Sequence, residues 1–139
     1  MIQYINEDVK APLLKKREVS TWIKNIAKLH GRKTGDIAFI FCNDDKIIEI
    51  NRKYLQHDFY TDIITFDYSY SDIISGDIFI SIDTVKTNAE KYKVAFNQEL
   101  HRVIIHGILH LCGRDDQSAD DKAIMKEEEN KALDILFYS

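Results

Sequence analysis

The sequence predicts an α+β sandwich, or a closely related α/β one, built on a small mixed sheet. Two observations lead there. Short β-branched and aromatic runs alternate with longer segments whose apolar residues recur at helical spacing. Helices and strands are mixed along the chain, and some strands are joined by helices, so a small mixed sheet is expected. The chain has 139 residues, the size of one domain. No repeat, low-complexity stretch or linker interrupts it, so 1–139 is read as a single domain.

The elements follow in order. IQYINE is a short strand. From about Lys15 to His30, the residues Val19, Trp22, Ile23, Ile26 and Ala27 follow helical spacing, with Gly31 as the stop. DIAFIFC, Asp36 to Cys42, is a buried strand. Asp44 is the expected cap of a helix whose apolar face is Ile47, Ile48, Ile50 and Tyr54. TDIITF, Thr61 to Phe66, is a third strand, and Asp67 to Ser75 a polar, tyrosine-bearing connection. GDIFISID alternates, with Ile78, Ile80 and Ile82 on one face. Thr84 to Phe96 has helical spacing. Asn97 is the expected cap of the next helix, which runs to Cys112 and is closed by Gly113. Ser118 followed by Asp121 opens a last helix in the manner of a capping box. Tyr54 and Phe66 are read as core.

Composition excludes several classes of function. Apolar residues make up 45% and charged residues 30%, with a single proline, which is the balance of a soluble globular domain. No apolar run reaches the ~18 residues that a membrane helix needs. MIQYINEDVK lacks the layout of a signal peptide. A cytoplasmic protein with reduced Cys42 and Cys112 is expected. The formal net charge of −4 argues against coating nucleic acid by charge alone, but leaves room for a local basic groove. Lys15-Lys16-Arg17 reads as a solvated face.

The chemistry concentrates in HGILHLCGRDD. His106 and His110, four apart, share one face of a helix, with Cβ atoms about 5–6 Å apart. Such a pair can ligate one Zn²⁺, or can be two packed, hydrogen-bonded histidines. The longer spacing favours the metal. The zinc-hydrolase pattern H-E-x-x-H-x-x-G-x-x-H places a glycine at +7 and a third ligand at +10; here those positions hold Gly113 and Asp116. Carboxylate is a legitimate zinc ligand, and a His-His-Asp set leaves a fourth position for water. It also makes the site more tolerant of harder ions such as Mn²⁺. Asp115 is the neighbouring alternative ligand, with Asp116 preferred. Gly107 replaces the glutamate that serves zinc peptidases as general base, so a peptidase mechanism is disfavoured. A glycine inside a helix needs a reason, and two stand equal: room for a substrate group, or close packing against the sheet.

HGILHLCGRDD resembles the signature H-G-x-L-H-L-x-G-x-D-[H/D] of the YbeY family, bacterial endoribonucleases that act as ribosomal RNA maturation factors. INRKYLQHDFYTDIITF resembles that family's L-N-x-x-Y-R-x-x-D-x-x-T-D-V-L-S-F segment, GDIFIS its G-D-I-x-I-S strand, and Glu99 ahead of His106 its entry to the metal helix. The resemblance runs from about Asn51 to Asp116. It implies a sheet of about four strands flanked by helices, with a metal helix like that of the zinc proteases. It implies one Zn²⁺ per chain on His106, His110 and Asp116, and metal-dependent, single-strand-specific cleavage of RNA. It also implies a role in 16S ribosomal RNA 3′-end maturation and ribosome quality control, with ribosomal RNA and the small ribosomal subunit as partners and neither DNA nor membrane among them.

Two departures matter. The family's third ligand is usually histidine where this chain has Asp116, and its arginine after the tyrosine is replaced by Leu55. Arg52, one turn earlier, and Arg114, in the metal loop, are the candidates to grip phosphate instead. Asp115 is the nearest candidate base, although hydrogen-bonding the turn after Gly113 is its preferred role; attack by the RNA 2′-hydroxyl is the other route. Phe59, Tyr60, Tyr68 and Tyr70 are candidates for stacking unpaired bases. Asp62 and Asp77 are candidates to orient the ligand histidines. His101 is expected to face away from the metal side, and Cys112 to be a small buried hydrophobe. His30 and His57 have no partner at ligand spacing. The rival reading is a non-catalytic ribosome-assembly factor with a structural metal; a metallopeptidase stands third.

Overall fold

A computed structural model describes residues 1–55 and 61–138. The elements are β1 (Ile2–Asn6), α1 (Lys16–Leu29), β2 (Lys33–Cys42), α2 (Asp44–Ile50) continued by a π-helical turn (Asn51–Leu55), β3 (Ile63–Asp67), β4 (Ile73–Ser81), α3 (Ile82–Tyr92), α4 (Phe96–Leu111) and α5 (Ala119–Tyr138). The fold is α+β. Its four strands lie in the order β1-β2-β4-β3. β1 and β4 both run parallel to β2, while β3 pairs antiparallel with β4. The small mixed sheet is as expected: α1 joins β1 to β2, the chain reaches β4 from β2 through α2 and β3, and a short turn joins β3 to β4.

Strand alternation sends side chains to two cores. Ile37, Phe39 and Phe41 of β2 and Ile74, Ile78 and Ile80 of β4 pack with α1 and α4 in the main core. Cys42, Ile47, Ile50 and Ile64 form a smaller cluster with α2 on the opposite face, flanked by Phe66 and Phe79. The sheet is thus sandwiched between helices. Trp22 Nε1 donates to the Ala132 carbonyl at 2.8 Å, which ties α1 to α5. Met125, Ala132 and Leu133 seat α5 in the same core.

Several boundaries differ from expectation. Asn43, not Asp44, caps α2 by accepting from the Lys46 amide; Asp44 instead accepts from Ser81 and Thr84 hydroxyls. The predicted helix from Thr84 to Phe96 is α3, which starts at Ile82 behind the Ser81 cap and ends at Lys93 in the left-handed region. That ending frees Phe96 to begin α4, while the start at Ile82 takes that residue out of the β4 face, because β4 ends at Ser81. Ala95, not Asn97, is the cap residue of α4; Asn97 lies inside the helix, and its carbonyl is 2.6 Å from His101 Nδ1. Tyr54 is exposed rather than core, edge-on to Phe66, because the π-helical turn shifts it off the apolar stripe of α2. The polar connection is shorter than expected: Ile73 and Ile74 already belong to β4.

Candidate metal centre

The site is built on α4. Leu100, Ile104 and Ile108 repeat at four-residue spacing and are wholly buried in the main core. The cleft-facing set is Glu99, Arg102, His106 and His110, likewise close to helical repeat. Gly107 answers the question its position raised. A Cβ there meets Ile63 Cδ1 at 3.0 Å and two Ile78 methyl carbons at 3.1 Å. The glycine lets α4 lie close against β3 and β4, and even a Cβ there presses on the Ile63 and Ile78 side chains.

After Leu111 the chain turns. Gly113 adopts φ +98°, a conformation that glycine takes without steric cost. Its amide donates to the His110 carbonyl, and the Arg114 amide to that of Leu109. Asp115 is exposed, and its Oδ1 accepts from the Asp116 amide at 2.8 Å, the turn-anchoring contact. Asp116 then reaches back to the helix. Its Oδ2 lies 3.4 Å from His106 Nε2 and 3.5 Å from His110 Nε2, and the two imidazole nitrogens are 3.0 Å apart. Tetrahedral bonds of 2.0–2.1 Å require donor atoms about 3.3 Å apart. Two imidazoles and a carboxylate with these separations fit a zinc-like ion, and they are the one such donor group among the described residues.

The decisive supporting residue was missed by sequence reasoning. Glu129 of α5, nearly buried, accepts from His106 Nδ1 at 2.6 Å through one oxygen and from Arg102 Nη1 at 2.9 Å through the other. Arg102 Nη2 donates to Asn130 Oδ1 at 2.7 Å. Neither Asp62 nor Asp77 takes that place. Asp62 lines the cleft nearby, and Asp77 sits opposite Phe66 in the β3–β4 pair. Glu129 lies in a run of three glutamates, so composition offers no signal to single it out; only the docking of α5 against α4 does.

Burial and charge tune the groups. Burial pulls the His106 imidazole down, but its bond to Glu129 and the charges of Glu129, Asp116 and Asp62 together raise it above its ordinary value. Burial raises Asp62, with His106 opposing. Glu99 is pushed up to about 7, first by burial and then by Asp62, with Arg102 pulling the other way. His101 is buried on the far side of the helix, beside Trp22 and Phe137, and burial lowers it. Cys112 is half-buried against the core, and burial raises its thiol to about 11.

The triad opens into a cleft of about 1070 Å³. Neither predicted phosphate grip lines it. Arg52 is exposed on the π-helical turn, and Arg114 pairs with Glu128 at 3.7 Å. Among the described residues the cleft cations are Arg102, Lys122 and Lys126. Tyr68 and Tyr70 are exposed on the β3–β4 connection, away from the cleft, while Tyr92 lines it. Phe59, Tyr60 and His57 lie outside the described residues. His30 Nε2 lies 3.5 Å from Glu128, remote in sequence.

The model of the family described as "Endoribonuclease YbeY" matches residues 3–136. The chain belongs to the YbeY family. It is 60% identical over 135 residues to an endoribonuclease YbeY of Parabacteroides distasonis, covering 97% of this chain and 95% of that one. The corresponding protein of Porphyromonas gingivalis is 46% identical, with 97% and 89% covered. The solution structure of TM1509 from Thermotoga maritima superimposes with a TM-score of 0.68 at 27% identity, over 99% of this chain and 89% of that one. The family and the four-stranded α+β fold agree with the expectation drawn from HGILHLCGRDD and its companion segments.

Proposed function

We propose that this YbeY-family chain is a metal-dependent, single-strand-specific endoribonuclease, with zinc as its ion. Its place is the cytoplasm, in 16S ribosomal RNA 3′-end maturation and quality control of the small ribosomal subunit. The observation that carries the reading is the triangle of His106, His110 and Asp116 donor atoms, 3.0–3.5 Å apart on the wall of an open cleft. The relatives that share the whole domain bear the name endoribonuclease.

A divalent ion held by these three side chains supplies Lewis-acid activation of water and neutralisation of a phosphate oxygen. The remaining work falls to the chain itself. Lys122 and Lys126, one turn apart on α5, offer two exposed ammonium groups to a passing phosphate backbone. Arg102, held by Glu129 and Asn130, adds a fixed guanidinium. Tyr92 presents an exposed ring in the cleft, and a ring face serves unpaired bases only, which favours single strands. Glu99, near 7 and lining the same cleft, is suited to exchange a proton at neutral pH.

One observation favours the rival assembly-factor reading: Asp62, Asp67, Glu99, Asp116 and Glu129 also line the cleft, so its floor is acidic. The deciding experiment measures metal content by mass spectrometry and cleavage of single- against double-stranded RNA, for wild type and Asp116→Ala. The enzyme reading expects about one zinc per chain, strongly reduced in the mutant, and single-strand cleavage lost with it. Bound zinc without cleavage, even with small ribosomal subunits present, establishes the assembly factor instead.

A further inference from the structure

We propose that Glu129 is a positioning residue that orients a metal ligand and a cleft arginine with the two oxygens of one carboxylate. This rests on the metal-binding part of the reading above, and not on RNA cleavage. Arg102 and His106 lie four apart on α4 and so share a face. Glu129 meets both from α5: Oε2 takes His106 Nδ1 at 2.6 Å, and Oε1 takes Arg102 Nη1 at 2.9 Å. Its side chain is 9% exposed, so water does not readily replace either bond.

The chemistry demands a carboxylate. Two donors face two oxygens, and an ionised carboxylate is acceptor on both sides. A glutamine of the same shape has one acceptor oxygen and an amide that donates, so it leaves either His106 Nδ1–H or the arginine opposed by an N–H. In the neutral imidazole a proton held on Nδ1 leaves the Nε2 lone pair free, and Nε2 is the nitrogen that lies 3.4 Å from Asp116 and 3.0 Å from His110. Glu129 thus selects the nitrogen that faces the triad, as carboxylates behind metal-bound histidines generally do. The same residue fixes the guanidinium beside it. The metal ligand and the cleft arginine are therefore set in register by the packing of α5 on α4, with Asn130 as a second hold on the arginine.

The test compares wild type, Glu129→Gln and Arg102→Met. Zn²⁺ affinity is read by competition with a chromophoric chelator, and the His106 ring nitrogens by ¹⁵N NMR of the zinc-loaded protein. In wild type, Nε2 is expected to be the metallated nitrogen, and Nδ1–H to appear as a low-field, slowly exchanging proton. In Glu129→Gln that proton signal is expected to be lost, and Zn²⁺ affinity to fall by about 10- to 100-fold. Arg102→Met removes the second partner only, and is expected to keep both the proton signal and the affinity within about 3-fold of wild type. Metallation of His106 through Nδ1 in wild type overturns the proposal without recourse to any variant, so a misfolded mutant does not shelter it. Unchanged zinc affinity in a folded Glu129→Gln overturns it as well. Wild type that binds no zinc overturns this inference and the metal-dependent function together, whereas zinc binding without RNA cleavage leaves this inference standing.

Discussion

The two faces of α4 solve opposite problems with the same helical repeat. On one face Leu100, Ile104 and Ile108 are fully buried and need only neighbours of matching shape. On the other, Glu99 is buried and Arg102, His106 and His110 are partly buried, and the arginine and the two histidines each meet a specific partner. Apolar contacts are non-directional, so the sheet and α1 satisfy the first face together. Hydrogen bonds and metal ligation are directional, so single atoms of α5 and of the turn after Gly113 satisfy the second. The core face should therefore respond to mutation through stability, and the cleft face through ligand binding.

The largest effect should come from the core face. Ile104→Ala leaves a cavity under the sheet and is expected to cost about 2–5 kcal/mol in denaturant unfolding. A loss below ~1 kcal/mol would mean that this face is not the packed core it is taken for. Next, His110→Ala should change unfolding free energy by no more than about 1 kcal/mol while abolishing zinc binding. If the variant instead unfolds with zinc-dependent loss of structure, the metal is a structural one and the division between faces fails.

Gly107 lies where the two faces meet. Gly107→Ala gains about 1 kcal/mol of helix propensity, but sets a methyl 3.0–3.1 Å from Ile63 and Ile78 carbons. Overpacking of about 1–3 kcal/mol should win, giving a net loss of up to ~2 kcal/mol by calorimetry. A stabilised variant would show that the sheet yields easily there, and that the glycine serves the cleft.

The smallest effect is in pH dependence, where the faces should slope in opposite directions. Glu99 is raised from its ordinary 4.5 to about 7. Its contribution to stability is present below pH 4.5 and is lost as pH rises through 7. His101 is lowered from 6.5, so its contribution is present above pH 6.5 and is lost as pH falls below it. Glu99→Gln should raise the melting temperature of the metal-free protein by a few degrees at pH 8 and flatten the profile between 4.5 and 7. An unaltered profile in that window would place the titration elsewhere.

Much of this was legible in the residues. The four strands and most of the helices follow from periodicity, because burial of one face imposes the period directly on the sequence. His106, His110 and Asp116 follow from local spacing, because a helix and a glycine turn convert offsets of four and ten into proximity. Helix starts were less legible. Ala95 heads α4 without a side-chain cap bond, and Asn43 and Asp44 are both good cap residues that only the observed backbone distinguishes.

The sequence by itself determined the family, the alternation of strands and helices, and the three side chains that come together as a metal site. All of these depend on order and spacing along short stretches. Only the tertiary structure decided that Gly107 faces the sheet, that Arg102 and the lysines of α5 line the cleft in place of Arg52 and Arg114, and that Glu129 stands behind His106. The first depends on how α4 lies against β3 and β4, and the place of the α5 lysines and of Glu129 on how α5 docks, twenty-three residues beyond the histidine that Glu129 supports. That docking is set by the summed burial of Met125, Ala132 and Leu133 with the Trp22 bond, in which no single local motif is encoded.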